Sequence, residues 1–90
     1  MWFHIWYHNE MTKKEKLIEK MRNNPLNWKI KDLKAIADRL GIEYQQPGTS
    51  HVTFRAKTGD KVTVPAHKPV KPIYVKLFLA LIDSLGESHE

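Results

Sequence analysis

The chain has 90 residues, 41% hydrophobic and 28% charged, the make-up of an ordinary globular protein with room for one small core. It contains no cysteine, which excludes disulfide frameworks, thiol nucleophiles and cysteine-based zinc sites and fits a reducing compartment such as the cytoplasm. Fifteen Lys and Arg against ten Asp and Glu leave a net charge of +5, which favours a polyanionic partner, most simply a nucleic acid.

The opening "MWFHIWYHNE" is apolar and aromatic but too short to span a bilayer, and it lacks the basic region and cleavage site of a signal peptide. No membrane partner is expected. Its composition does not match the rest of the chain, so residues 1–10 read as an N-terminal extension ahead of a start at Met11, and 11–90 as a single domain. His4 and His8 have the i, i+4 spacing of a helical metal pair without a third ligand nearby, and no metal is expected there.

Thr12 and Glu15 form a capping box that opens a first helix over about Lys13 to Arg22, with Leu17, Ile18 and Met21 as its apolar stripe. "NNP" ends it, because a residue before proline avoids helical backbone. A second helix covers Ile30 to Leu40, with Leu33, Ile36, Ala37 and Leu40 on one face. Trp28 and Leu33 have hydrophobic-staple spacing around a cap at Lys29, Asp32 suits the positive helix end, and Gly41 closes the element.

The period then changes to two. "IEYQQ" (42–46), "HVTFR" (51–55) and "KVTVP" (61–65) alternate apolar and polar residues, and the turn signals "QPGTS" and "KTGD" separate them. Three short strands in succession predict an antiparallel meander. "PAHKPVKP" is a proline-stiffened basic loop. Pro72 starts a last helix to about Leu85, with Tyr74, Leu77, Phe78, Leu81, Ile82 and Leu85 on one broad face, widened by Val75 and Leu79, and Gly86 as its stop. The extra apolar width is available to the first helix or to a partner. The fold class is therefore α+β, with the second and last helices on the apolar face of a three-stranded sheet.

The opposite face stays open, and on it this parity puts Gln45, His51, Thr53, Arg55, Lys61 and Thr63. An exposed histidine on a polar strand face is ordinarily just a surface residue. Here Gly48 permits close backbone approach, Thr49 and Ser50 supply hydroxyls, and Arg55, Lys61 or Lys68 supplies positive charge. RNA cleavage without metal needs a base for the 2′-hydroxyl, an acid for the leaving 5′-oxygen and cations for the phosphate, and an imidazole serves as either acid or base near neutral pH. The carboxylates are scattered, which gives magnesium no cluster. His67, in the basic loop, is a candidate for phosphate contact or loop positioning and a weaker one for acid–base work; Trp28 and Tyr74 read as packing residues rather than base-stacking platforms.

"DLKAIADRLGIEY", "GTSHVTFR" and "VTVPAHKPVKPIYVKLFLALID", in that order across residues 12–85, resemble the HicA-type toxins of bacterial toxin–antitoxin modules. The resemblance implies a double-stranded-RNA-binding-domain-like α-β-β-β-α fold preceded by an extra N-terminal helix. It implies a cytoplasmic, cofactor-free endoribonuclease that cleaves mRNA and arrests growth, and that is neutralised by a HicB-type antitoxin. His51 falls on the family's catalytic histidine, and Gly48 and Ser50 fall on its motif, with Thr49 where many members carry Gly or Ser. Monomeric behaviour is expected of the free protein. The competing readings are a non-catalytic RNA-binding domain using the same basic face, and a protein-interaction module centred on the last helix.

Overall fold

The computed structural model describes residues 13–87. The extension at 1–10, the His4/His8 pair, Met11 and the Thr12 cap lie outside those residues. In chain order the elements are α1 (Lys13–Asn23), α2 (Ile30–Leu40), β1 (Glu43–Gln45), β2 (His51–Arg55), β3 (Lys61–Pro65) and α3 (Pro72–Glu87). The class is α+β, as the pattern predicts.

The sheet is antiparallel with order β1-β2-β3, so β2 is the central strand. Its register pairs Tyr44 with Phe54 and Gln45 with Thr53 on one side. On the other it pairs Val52 with Val64, Phe54 with Val62 and Thr53 with Thr63. Alternation along β2 turns Val52 and Phe54 to one face, where both are fully buried, and leaves His51 and Arg55 exposed on the other. Gly59, at φ 99°, carries the β2–β3 turn, where its amide donates to the Ala56 carbonyl at 3.0 Å.

α2 contacts β1 and α3 contacts β3. Their buried residues, Leu33, Ile36 and Ala37 from α2 and Val75, Phe78, Leu79 and Ile82 from α3, join Val52, Phe54 and Val64 in one core cluster. At its centre the Phe54 and Phe78 rings meet edge-on with centroids 4.9 Å apart. α1 packs against α2 and α3, buries Met21 completely, and is tied to α3 by the Arg22–Asp83 ion pair. Half exposed, that pair stabilises by at most about 1 kcal/mol, so apolar contact carries the docking of α1.

The α2 entry matches its sequence signals. The Lys29 amide donates to the Asp32 carboxylate at 2.9 Å, Trp28 and Leu33 are both buried in the core, and Gly41 closes the helix at φ 75°. The last helix differs from expectation in two respects. Leu77 is 43% exposed, because the helix turns its Val75–Phe78–Leu79–Ile82 side to the sheet and carries Leu77 away from it. Gly86 does not stop the helix at Leu85: its backbone stays helical and the element runs to Glu87.

Phe54 anchors the contact between sheet and α3, so Phe54→Ala should destabilise the fold by about 3–5 kcal/mol in urea denaturation, with any loss under about 1 kcal/mol contradicting the packing described.

Candidate active site on the open sheet face

The face away from the helices carries Gln45 from β1, His51, Thr53 and Arg55 from β2, and Lys61 and Thr63 from β3, as the parity predicts. Glu43 belongs there too, directly opposite Arg55, which in turn lies opposite Lys61. At that end of the sheet a carboxylate therefore tempers the two cations. In the middle, the Thr53 and Thr63 hydroxyls pair across the strands at 3.0 Å.

His51 stands at the head of β2, opposite Pro65, with its side chain exposed. Its Nδ1 lies 3.2 Å from the Ser50 hydroxyl oxygen. That contact leaves Nε2 free for chemistry. When the neutral ring's Nδ1–H donates to the hydroxyl, the Nε2 lone pair is a general base; when the ring is protonated on both nitrogens, Nδ1–H still donates to the hydroxyl and Nε2–H is a general acid.

The predicted site residues fall into two groups. Gly48, Thr49, Ser50 and His51 lie at one end of the sheet, in and just after the β1–β2 turn. The β2–β3 ladder continues past the strand end, the Ala66 amide donating to the Ser50 carbonyl at 2.8 Å, and this brings the loop bearing His67 and Lys68 to the same end. Arg55 and Lys61 sit at the other end, four residues along β2 from His51, roughly 13 Å away at ~3.3 Å per residue. A polynucleotide lying along the strand can therefore meet His51 and Arg55 at successive positions.

His67, Lys68 and Thr49 line a cleft of about 420 Å³ that also takes Lys29 and Lys31 from the start of α2. Sequence reasoning missed the last two. Lys29 is legible as a helix cap, but its meeting with the β3–α3 loop depends on a long-range contact that no local pattern encodes. That contact is an isolated antiparallel bridge between Trp28 and Val70, in which the Val70 amide donates to the Trp28 carbonyl at 2.7 Å. Trp28 is 8% exposed, and its indole N–H donates to the Asn24 carbonyl at 2.7 Å. It is a packing residue, as expected. Tyr74 is half-buried and packs against the core cluster.

Gln46 braces the turn before the histidine. Its side-chain oxygen accepts from the Lys34 ammonium at 2.6 Å and its amide nitrogen donates to the Thr49 carbonyl at 3.2 Å. Among the described residues, no three His, Asp or Glu side chains come together as metal ligands, and no helix is long and apolar enough to cross a membrane.

Comparison with protein-family models, with curated proteins and with solved structures finds no match.

A Cβ built on Gly48 meets no atom within 4 Å and the residue lies outside the positive-φ region, so nothing within the fold requires glycine there. Gly48→Ala should leave stability within about 0.5 kcal/mol of the wild type in thermal and urea unfolding; a larger loss would mean that the turn itself depends on this glycine.

Proposed function

We propose that the chain is the toxin of a HicA/HicB-type toxin–antitoxin module, a metal-independent endoribonuclease that cleaves mRNA in the bacterial cytoplasm and arrests translation. Its scaffold is a double-stranded-RNA-binding-domain-like α-β-β-β-α sheet with an added N-terminal helix. The observation that carries this reading is the setting of His51. An exposed imidazole, in contact with a serine hydroxyl, heads the central strand of an open face, beside a loop that brings in His67 and Lys68.

The chemistry needs no more than this set supplies. A base takes the proton of a 2′-hydroxyl, O2′ attacks the adjacent phosphorus, and the bond from phosphorus to the 5′-oxygen breaks as that oxygen receives a proton. The products are a 2′,3′-cyclic phosphate and a free 5′-hydroxyl. His51 serves as the base when neutral or as the acid when protonated, with Nδ1 against the Ser50 hydroxyl and Nε2 toward the substrate, and general acid–base catalysis of this kind contributes about 10²–10⁴-fold. Thr49 and Ser50 offer hydroxyls and Gly48 an unobstructed backbone to the phosphate. Lys68 and His67 balance its charge, and Arg55 and Lys61 hold the strand further along. DNA, lacking the 2′-hydroxyl, is not cut by this route.

A HicB-type antitoxin fits as the inhibitor because a flat, open, cationic face is readily covered by an acidic partner, with charge attraction speeding association. The free toxin is monomeric in this reading. The separation of Arg55 and Lys61 from His51 favours one alternative, a non-catalytic domain that grips RNA along β2 and β3 without cutting it.

His51→Ala should retain the wild-type melting temperature, since the side chain is exposed, and lose RNA cleavage by at least about 100-fold together with toxicity on expression. Wild-type cleavage by a clean preparation of the variant would remove His51 from the mechanism. RNA binding without cleavage by the wild type, in magnesium-free or magnesium-containing buffer, would establish the non-catalytic alternative.

A further inference from the structure

The cleft beside His51 does more than supply charge to the phosphate being cut. It has about 420 Å³, within the ~300–1,000 Å³ span of small-molecule sites. Its rim carries Lys29, Lys31 and Lys68 with His67, all exposed, and among the described residues no carboxylate lines it. Its apolar wall is Ile30 and Ala66, both half-buried. The Lys29 amide at the helix end is already bonded to Asp32 and is not offered to an anion. What the cleft offers is a set of side-chain cations around a small apolar surface, which matches one nucleotide: phosphate on the rim, base against the wall.

Its position is fixed relative to the histidine. His51 lies outside the lining, one residue beyond Ser50, whose carbonyl accepts from Ala66 of the cleft wall. A ribonucleotide chain with its reacting phosphate at His51 therefore meets the cleft with a neighbouring nucleotide. The walls are held before any ligand arrives, by Gln46 bridging Lys34 and Thr49 and by the Trp28–Val70 bridge behind the loop. Such preorganisation lowers the ordering cost of binding.

We propose that this cleft is the subsite for a nucleotide flanking the cleaved bond of single-stranded RNA, with Lys29, Lys31, Lys68 and His67 on its phosphate and Ile30 and Ala66 against its base. The flanking position rests on the ribonuclease reading above; nucleotide binding in the cleft does not.

The test uses a 2′-O-methyl RNA oligonucleotide of mixed sequence, whose blocked 2′-oxygen prevents cleavage, and the variant Lys29→Glu/Lys31→Glu, which alters two exposed cleft lysines and leaves Lys68 beside the reacting phosphate in place. Titration should shift the backbone amide resonances of Thr49, Ile30 and Ala66 in the wild type. In fluorescence anisotropy the double variant should bind at least about tenfold more weakly, and its salt dependence should be shallower by about 0.7 in log–log slope, the value for one phosphate contact on a single strand. With unmodified RNA the variant should lose kcat/KM through KM. Unchanged affinity and slope in a folded variant would overturn the subsite, as would resonance shifts confined to β2 and β3. Polyglutamate giving the same shifts at equal affinity would also overturn it, in favour of an acidic protein segment. The two readings fail separately: a wild type that binds the modified RNA through the cleft but leaves unmodified RNA intact loses the ribonuclease and keeps the nucleotide site. Undiminished cleavage by the double variant, with unchanged KM, loses the subsite alone.

Discussion

Everything on the open face depends on one geometric constraint, the two-residue period of the central strand. Val52 and Phe54 are both fully buried, between the neighbouring strands and beneath the helices, and the intervening residues have no choice but to face outward. A slip of one residue would put an imidazole and a guanidinium into the core and two apolar side chains into water, several kcal/mol worse at ~1.5–3 kcal/mol for each large apolar side chain alone. The face on which His51 stands is thus enforced by its neighbours' burial, and the contact of its Nδ1 with Ser50 acts only within that face. This also explains how so exposed a residue holds a defined direction on a domain with such a small core.

Much of this is legible in the sequence because it is local. The alternation of "HVTFR" and "KVTVP" gives both strands with their bounds, and Leu33, Ile36 and Ala37 give the buried face of α2. The last helix is less legible for a physical reason. Of its first fourteen residues most are apolar, so several stripes compete, and only the sheet decides which one is covered; Leu77 and Ile73, 43% and 56% exposed, lost that competition. Gly86 shows the same limit: glycine permits a helix to stop but does not compel it when the backbone stays in the helical region. The cleft is invisible for a third reason. It joins residues from the start of α2, the β1–β2 turn and the β3–α3 loop, and nothing short-range announces that these three meet.

Charge is distributed less simply than the net value suggests. The far end of the sheet sets Arg55 and Lys61 beside Glu43, whereas the cleft near His51 has lysines and a histidine in its lining and no carboxylate among the described residues. A net charge of +5 spread evenly would attract any polyanion anywhere on the surface. Gathering cations next to the imidazole instead favours an anion docked at the end of the sheet where the titratable ring lies.

The bridge between Trp28 and Val70 has a mechanical consequence beyond the cleft. Trp28 belongs to the core, its carbonyl holds the loop that bears His67 and Lys68, and its indole pins the preceding turn through Asn24. The main chain at this position thus anchors the recognition loop while the indole anchors the turn before α2, so two segments distant in sequence are moored to the core through a single residue.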